Sequence, residues 1–101
     1  MTAVRVKICG ITRPEDALEA VRLGANALGF VFWPNSPRLV SQSAAQMIAS
    51  AVPALVARVG VFVNASADEI RRVVDHVGLD VVQLHGGEAV DDYRAIPARL
   101  I

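Results

Sequence analysis

The chain has 101 residues, and its ten basic and ten acidic residues give a formal net charge of zero. Hydrophobic residues make up 53% of the sequence and charged residues 20%, which excludes a disordered chain, because disordered chains lack apolar groups to bury. The length allows one domain. The balanced charge predicts neither a nucleic-acid partner nor attraction to an anionic membrane.

Cysteine content and the N-terminal residues predict a cytoplasmic location. Cys9 is the sole cysteine, so it forms no internal disulfide and cannot build a zinc site by itself, as is typical of a reducing compartment. No long apolar run follows residues 1–5, so no signal peptide is expected. No stretch reaches the roughly 20 apolar residues of a membrane-spanning helix.

Strand and helix patterns alternate along the chain. Short β-branched and apolar runs predict strands at residues 4–9, 27–32, 56–63 and 81–84, and residues 99–101 resemble the first residues of a fifth strand. Helices are predicted between these strands, the second over residues 43–51 and a weaker fourth over residues 88–96.

Two of the predicted helices begin with the sequence of a capping box. Thr12 with Glu15 and Ser66 with Glu69 have the required spacing of three residues. An apolar stripe follows each box, at Ala17, Leu18 and Val21 in the first helix, and at Ile70, Val73, Val74 and Val77 in the third. Gly24 and Gly78 are placed to end these helices.

This alternation predicts an α/β fold with a parallel sheet and right-handed crossovers. The strands are almost continuously apolar, which indicates a sheet covered on both faces. One architecture is a small doubly wound sheet. The other is part of a (β/α)8 barrel, which needs at least about 200 residues. The apolar residues Leu100 and Ile101 favour the barrel, of which residues 1–101 would be the N-terminal half, with four βα units and the start of strand five.

Two predicted strands turn polar residues to one face near their carboxyl ends. Lys7 and Cys9 are two residues apart, as are Gln83 and His85, so each pair shares one face of its strand. In a barrel that face is the lumen, and reactive groups collect at the carboxyl ends of its strands. The alternatives are structural: a buried ion pair for Lys7, a small apolar filler for Cys9, and a satisfied polar side chain for His85.

Arg38 lies in a loop that Pro34 and Pro37 make stiff. An arginine presented in this way can fork a carboxylate or a phosphate, although the loop alone favours an ordinary solvated arginine. The chain has no Walker loop, dinucleotide fingerprint, CxxC pair or HExxH motif. The glycines at 86 and 87 favour a turn over an anion site.

Four motifs resemble those of the phosphoribosylanthranilate isomerase family. They are VKICGIT at residues 6–12, GFVF at 29–32 with SPR at 36–38, VGVFVN at 59–64, and VQLHG at 82–86. The resemblance implies a (β/α)8 barrel that catalyses the Amadori rearrangement of N-(5′-phosphoribosyl)anthranilate in tryptophan biosynthesis. It also implies a phosphorylated small-molecule substrate and neither a metal nor an organic cofactor.

The resemblance also implies roles for individual residues. Cys9 matches the family's general base, and Arg38 matches the arginine that meets the anthranilate carboxylate of the substrate. Gln83 and His85 match polar residues that line the pocket. Lys7 is assigned to the substrate site by strand alternation, because its positive charge on the face of Cys9 would favour the thiolate.

The other groups of the family's active site have no match here. The general acid of the family is an aspartate at the end of the sixth strand, and the phosphate is bound after strands seven and eight. Asp80, Asp91 and Asp92 do not match that acid. Two alternatives to an isomerase therefore stay open: an inactive half-barrel that associates with itself, and an unrelated α/β binding module.

Overall fold

The computed structural model describes residues 5–101. Val4, included in the predicted first strand, lies outside the described residues. The strands are β1 Lys7–Cys9, β2 Ala27–Val31, β3 Ala57–Phe62, β4 Val81–Leu84 and β5 Arg99–Leu100. The α-helices are α1 Pro14–Arg22, α2 Gln42–Ala51 and α3 Ala67–Val73, the last continued by a π-helical turn at Val74–Gly78, and a 3-10 helix covers Val90–Tyr93.

All five strands are parallel and lie in the order β1-β2-β3-β4-β5. A doubly wound sheet reverses its strand order, whereas a barrel keeps consecutive strands adjacent. The predicted α/β fold and the barrel order of its strands are therefore confirmed. The fifth strand, predicted from residues 99–101, pairs with β4 over Arg99–Leu100.

The two faces of the sheet differ in what they contact. Leu28, Phe30 and Val82 point to one face and form a buried core with residues of α2 and α3 such as Ile48 and Ile70. We call the opposite side the cleft face. One row across it contains Cys9, Gly29, Val59, Val81 and Arg99, which are register partners on successive strands.

The capping box predicted for α1 is wrong. The N-cap residue is Arg13, with φ −131° and ψ 142°, and no side chain caps the helix. Pro14 at the first helical position explains the shift, because the residue before a proline is restricted to extended backbone. Thr12 therefore lies one residue before the N-cap and cannot form a capping box with Glu15.

The apolar stripe of α1 is narrower than predicted. Ala17 is buried, but Leu18 is 51% exposed, so its assignment to the stripe is wrong. Gly24 follows the C-cap residue Leu23 and ends the helix as predicted, with a φ of +99°. The Gly24 N–H donates to the Val21 carbonyl at 3.0 Å, and the Ala25 N–H donates to the Ala20 carbonyl at 2.9 Å, the pattern of a Schellman motif.

Serine side chains cap the next two helices. Ser41 Oγ accepts a hydrogen bond from the Ala44 N–H at 3.1 Å, and Ser66 Oγ accepts one from the Glu69 N–H at 3.1 Å. The second contact confirms the predicted helix start at Ser66. Each serine satisfies a backbone N–H that a helix start otherwise leaves without a partner.

The fourth predicted helix, residues 88–96, is wrong, because only the 3-10 helix Val90–Tyr93 forms there. Tertiary contacts hold this segment. Tyr93 and Ile96 are buried in the core, and the Tyr93 hydroxyl donates to the Ala65 carbonyl at 2.8 Å. Pro97 follows and cannot continue a helix. Among residues 5–101, no helix is both long enough and apolar enough to cross a membrane.

Candidate active site

A cleft of about 250 Å³ opens on the cleft face, at the carboxyl ends of the first four strands. Nine residues line it: Cys9, Val31, Trp33, Ser36, Arg38, Val61, Val63, Gln83 and His85. The structure thus brings four of the five predicted site residues to one cavity. Parallel strands produce this arrangement because their carboxyl ends lie at the same end of the sheet.

Lys7, the remaining predicted residue, reaches the cleft through a hydrogen bond. Its Nζ atom donates to Oε1 of Gln83, so the contact links β1 to β4 across the two strands between them. Lys7 is exposed, and within residues 5–101 no carboxylate pairs with it. The alternative of a buried ion pair is therefore wrong.

The loop after β2 places Arg38 beside the end of β1. The Ser36 N–H donates to the Trp33 carbonyl at 3.0 Å, and the Arg38 N–H donates to Ser36 Oγ at 3.1 Å. This turn lays the Arg38 side chain over Gly10, whose φ is +85°. The exposed guanidinium therefore lies next to the residue that follows Cys9, where it can contact a bound anion.

Glu88 joins the loops that follow β3 and β4, and the sequence did not identify this role. Its Oε2 accepts the Asn64 N–H at 2.6 Å, and its Oε1 accepts the Gly86 N–H at 2.7 Å. Asn64 has a positive φ of 53° and accepts the Gly87 N–H through Oδ1 at 3.2 Å. Asparagine tolerates this conformation better than most residues, which is the one signal in the sequence.

Ionisation of Glu88 strengthens the hydrogen bonds by which it joins the loops after β3 and β4. Partial burial of the carboxylate raises its pKa, but hydrogen bonds from the backbone N–H groups of Asn64, Glu88 and Gly86 and the nearby charge of His85 lower it more. The pKa of Glu88 consequently lies below its usual value. The loops on either side of His85 are thus held by an ionised carboxylate at neutral pH.

Trp33 and Ser36 also line the cleft; their place after the second strand is evident in the sequence, but neither was predicted to be a site residue. Strand alternation could have identified Trp33, because it lies two and four residues after Val31 and Gly29 and so continues their face of β2. The position of Ser36 depends on the turn in its loop, which alternation does not describe.

The cleft combines proton-transfer groups with a cation and apolar walls. Cys9 and His85 can exchange protons with a bound molecule, Arg38 can bind a carboxylate or phosphate, and Trp33 offers an aromatic surface. Such a lining suits a small anionic molecule with an aromatic part. Among the described residues, no cluster of three or more His, Cys, Asp and Glu side chains could hold a metal ion.

Residues 6–100 match the family model for N-(5′-phosphoribosyl)anthranilate isomerase. The chain belongs to this family. The resemblance noted from the four motifs is thereby confirmed. A relative of that name from Chromohalobacter salexigens is 54% identical over 92 residues, which are 91% of this chain and 43% of the relative.

Solved structures of the isomerase family match the fold of this chain. A crystal structure from Thermus thermophilus has a TM-score of 0.92 and 45% identity, and the match covers 96% of this chain and 50% of that one. A second, in complex with reduced 1-(o-carboxyphenylamino)-1-deoxyribulose 5-phosphate, has a TM-score of 0.90 and 51% identity over 93% of this chain and 48% of that one. The chain spans about half the length of the relatives that it matches.

Proposed function

We propose that this chain forms the N-terminal half of a (β/α)8 phosphoribosylanthranilate isomerase, with four βα units and the start of strand five over residues 1–101. The observation that carries the proposal is the single cleft that Cys9 and Arg38 share in a chain of this family. The substrate would be N-(5′-phosphoribosyl)anthranilate, and the reaction would be its Amadori rearrangement in tryptophan biosynthesis.

Cys9 is the general base of the proposed reaction. A general acid beyond residue 101 protonates the ribose ring oxygen, and the ring opens to a protonated Schiff base. The Cys9 thiolate then takes the proton from C2′. The electron pair of that C–H bond forms the C1′–C2′ double bond, while the imine nitrogen accepts the electrons of the C=N bond. The resulting enolamine tautomerises to the ketone.

The other site residues bind and orient the substrate in this proposal. Arg38 forks the anthranilate carboxylate, which its position over Gly10 at the mouth of the cleft supports. Gln83 and His85 line the pocket. Lys7 holds Gln83 by a hydrogen bond and adds positive charge to the face that carries the thiolate. The proposal includes no metal or organic cofactor and a cytoplasmic location.

The test is an activity assay of a joined barrel. The chain is fused at residue 101 to the part of the Chromohalobacter salexigens relative beyond the matched region, and turnover is followed by the change in anthranilate fluorescence. We expect turnover in the fusion and no more than residual turnover in the 101-residue chain, which lacks a matching acid. A folded but inactive fusion would reject the proposal.

Two substitutions in the fusion separate the proposed roles. Cys9→Ala should lower kcat by about 10²–10⁴-fold, because proton transfer to a positioned base contributes that much. Arg38→Ala should mainly raise KM, and Arg38→Lys should restore little because lysine cannot bind a carboxylate in a bidentate fork. Arg72→Lys, on the exposed side of α3, is the control. Normal turnover with Cys9→Ala would exclude the thiol as the base.

The second candidate is a half-barrel without catalytic function that associates with itself. Exposed apolar side chains at the β1 edge favour it, since Val6 is 42% exposed and Ile8 is 39% exposed. Contiguous apolar surface of this kind is typical of interaction sites. An inactive but folded fusion together with a stable dimer of the chain would support this candidate.

A further inference from the structure

The backbone of Gly29 lies against the Cys9 side chain on the cleft face. A Cβ atom at residue 29 would lie 2.9 Å from Cys9 Sγ and 3.1 Å from Cys9 Cα. Real Cβ atoms essentially never come within 3.0 Å of such a neighbour, so the thiol occupies the space that any side chain at residue 29 would need. We propose that Gly29 is a positioning residue for the Cys9 thiol, an inference that rests on the proposed role of Cys9 as the base.

Gly29 of β2, the strand next to Cys9, is a glycine at a level where the two following strands carry valine. In the same row of the cleft face, β3 carries Val59 and β4 carries Val81. The sheet therefore accommodates β-branched side chains at this level, as parallel strands usually do. Glycine in a strand interior weakens the strand and commonly marks a close approach of another group, which here is the thiol.

Backbone movement cannot easily relieve a contact between residues 9 and 29. The Gly10 and Ile11 N–H groups both donate to the Gly29 carbonyl at 3.0 Å, so the chain immediately after Cys9 is fixed to Gly29 itself. A methyl group at residue 29 would consequently rotate the Cys9 side chain. Because Sγ then has to leave the space that the methyl group takes, it moves away from β2 and out of its present place in the cleft.

A substitution at Gly29 should displace Cys9 without displacing Arg38, the arginine proposed to bind the carboxylate. Arg38 lies over Gly10 and is absent from the closest neighbours of a Cβ atom at residue 29. In the joined barrel we therefore expect Gly29→Ala to lower kcat by about 10²-fold, the cost of misplacing a reacting group by roughly 1 Å, while KM stays within about twofold of the parent. A kcat within about twofold of the parent would overturn the inference.

Gly87→Ala is the matched control. No heavy atom lies within 4 Å of a Cβ atom at residue 87, and its backbone N–H bond to Asn64 Oδ1 survives the substitution. We expect both kcat and KM of this variant to remain at the parental values. Equal losses of kcat in the two glycine variants would overturn the specific role of Gly29.

The alkylation rate of Cys9 tests the placement of the thiol without an assay of isomerase activity. Cys9 is exposed in the parent, and its alkylation rate by iodoacetamide in the 101-residue protein should change by about threefold or more in Gly29→Ala, because the reactivity of a thiol depends on its surroundings and the displaced thiol has different ones. Gly87→Ala should react at the parental rate. Equal rates in all three proteins would contradict the inference.

Thermal melting covers the case in which Gly29→Ala folds poorly. The double variant Cys9→Ala/Gly29→Ala lacks the Sγ atom, so it should melt at least about 3 °C above Gly29→Ala after correction for Cys9→Ala alone. No recovery would overturn the inference. An inactive parental fusion rejects the proposed function, whereas the alkylation rates and the melting temperatures still decide the role of Gly29.

Discussion

The side chain of Arg38 occupies the position that a side chain at residue 10 would take. A Cβ atom on Gly10 would lie 2.5 Å from Arg38 Cδ, 3.0 Å from Nη1 and 3.1 Å from Nε. Glycine at residue 10 therefore does two things at once. It adopts a φ of +85° after β1, and it lets the guanidinium approach the backbone beside Cys9.

Gly10→Ala should displace the Arg38 side chain, which Gly24→Ala leaves in place. Both glycines have positive φ, at which alanine costs about 1–2 kcal/mol, so urea unfolding should give similar losses of unfolding free energy for the two variants. In the joined barrel Gly10→Ala should also raise KM, because the exposed guanidinium has to leave its place over residue 10. No heavy atom lies within 4 Å of a Cβ at residue 24, so equal KM values of the two variants would exclude the contact.

Glu88→Gln should remove part of the acid dependence of stability. The pKa of Glu88 is below its usual value of 4.5 in the folded protein, so the folded state binds its proton less tightly than the unfolded chain does. The ionised Glu88 carboxylate therefore contributes its full stabilisation to the folded protein above pH 4.5. This contribution is lost as the pH falls through the lower pKa that Glu88 has in the folded state.

Urea unfolding of Glu88→Gln and the parent at several pH values tests this dependence. At neutral pH the variant should be about 1–3 kcal/mol less stable, since hydrogen bonds to a charged acceptor are lost. Its deficit should shrink as the medium becomes acidic. Glu15→Gln, an exposed carboxylate in the first turn of α1, is the comparison. A loss of unfolding free energy that stays constant with pH would contradict a lowered pKa of Glu88.

Arg58→Lys should destabilise the C-terminal end of α2. The Arg58 guanidinium donates to the carbonyls of Ala49 at 2.7 Å, Val52 at 2.9 Å and Val56 at 2.6 Å. A lysine ammonium cannot reproduce this planar set of donors, so we expect a loss of about 1.5–3 kcal/mol in unfolding free energy. Arg72→Lys should change stability by less than about 0.5 kcal/mol. Equal effects of the two substitutions would contradict the capping role.

The 101-residue chain should associate in solution through its β1 edge. Ile8 at that edge is 39% exposed, and an exposed strand edge offers backbone groups for pairing with another chain. Ile8→Lys should weaken association by about tenfold or more in sedimentation equilibrium. Leu55→Lys, at a residue that is 98% exposed, should change it little. A stable monomer at high micromolar concentration would reject the prediction.

Strand alternation in the sequence determined much of the candidate site. Parallel strands have a strict period of two, so spacing alone assigns Cys9 and Gln83 to the face opposite the helices. Consecutive βα units also predicted a parallel sheet, but they fit both a doubly wound sheet and a barrel, so only the tertiary structure decided the order of the strands. Strand alternation does not predict the loop contacts of Arg38 and Glu88, because they join segments far apart in sequence and depend on side-chain geometry.

Local signals also determined some helix ends but not others. Ser66 caps α3 because an N-cap hydrogen bond involves only residues within one turn. The same pattern at Thr12 fails because Pro14 fixes the backbone of its neighbour. At residues 88–96 only the tertiary structure decided the outcome. Burial of Tyr93 and Ile96, together with the Tyr93 hydrogen bond to Ala65, outweighs a helix propensity that amounts to tenths of a kcal/mol per residue.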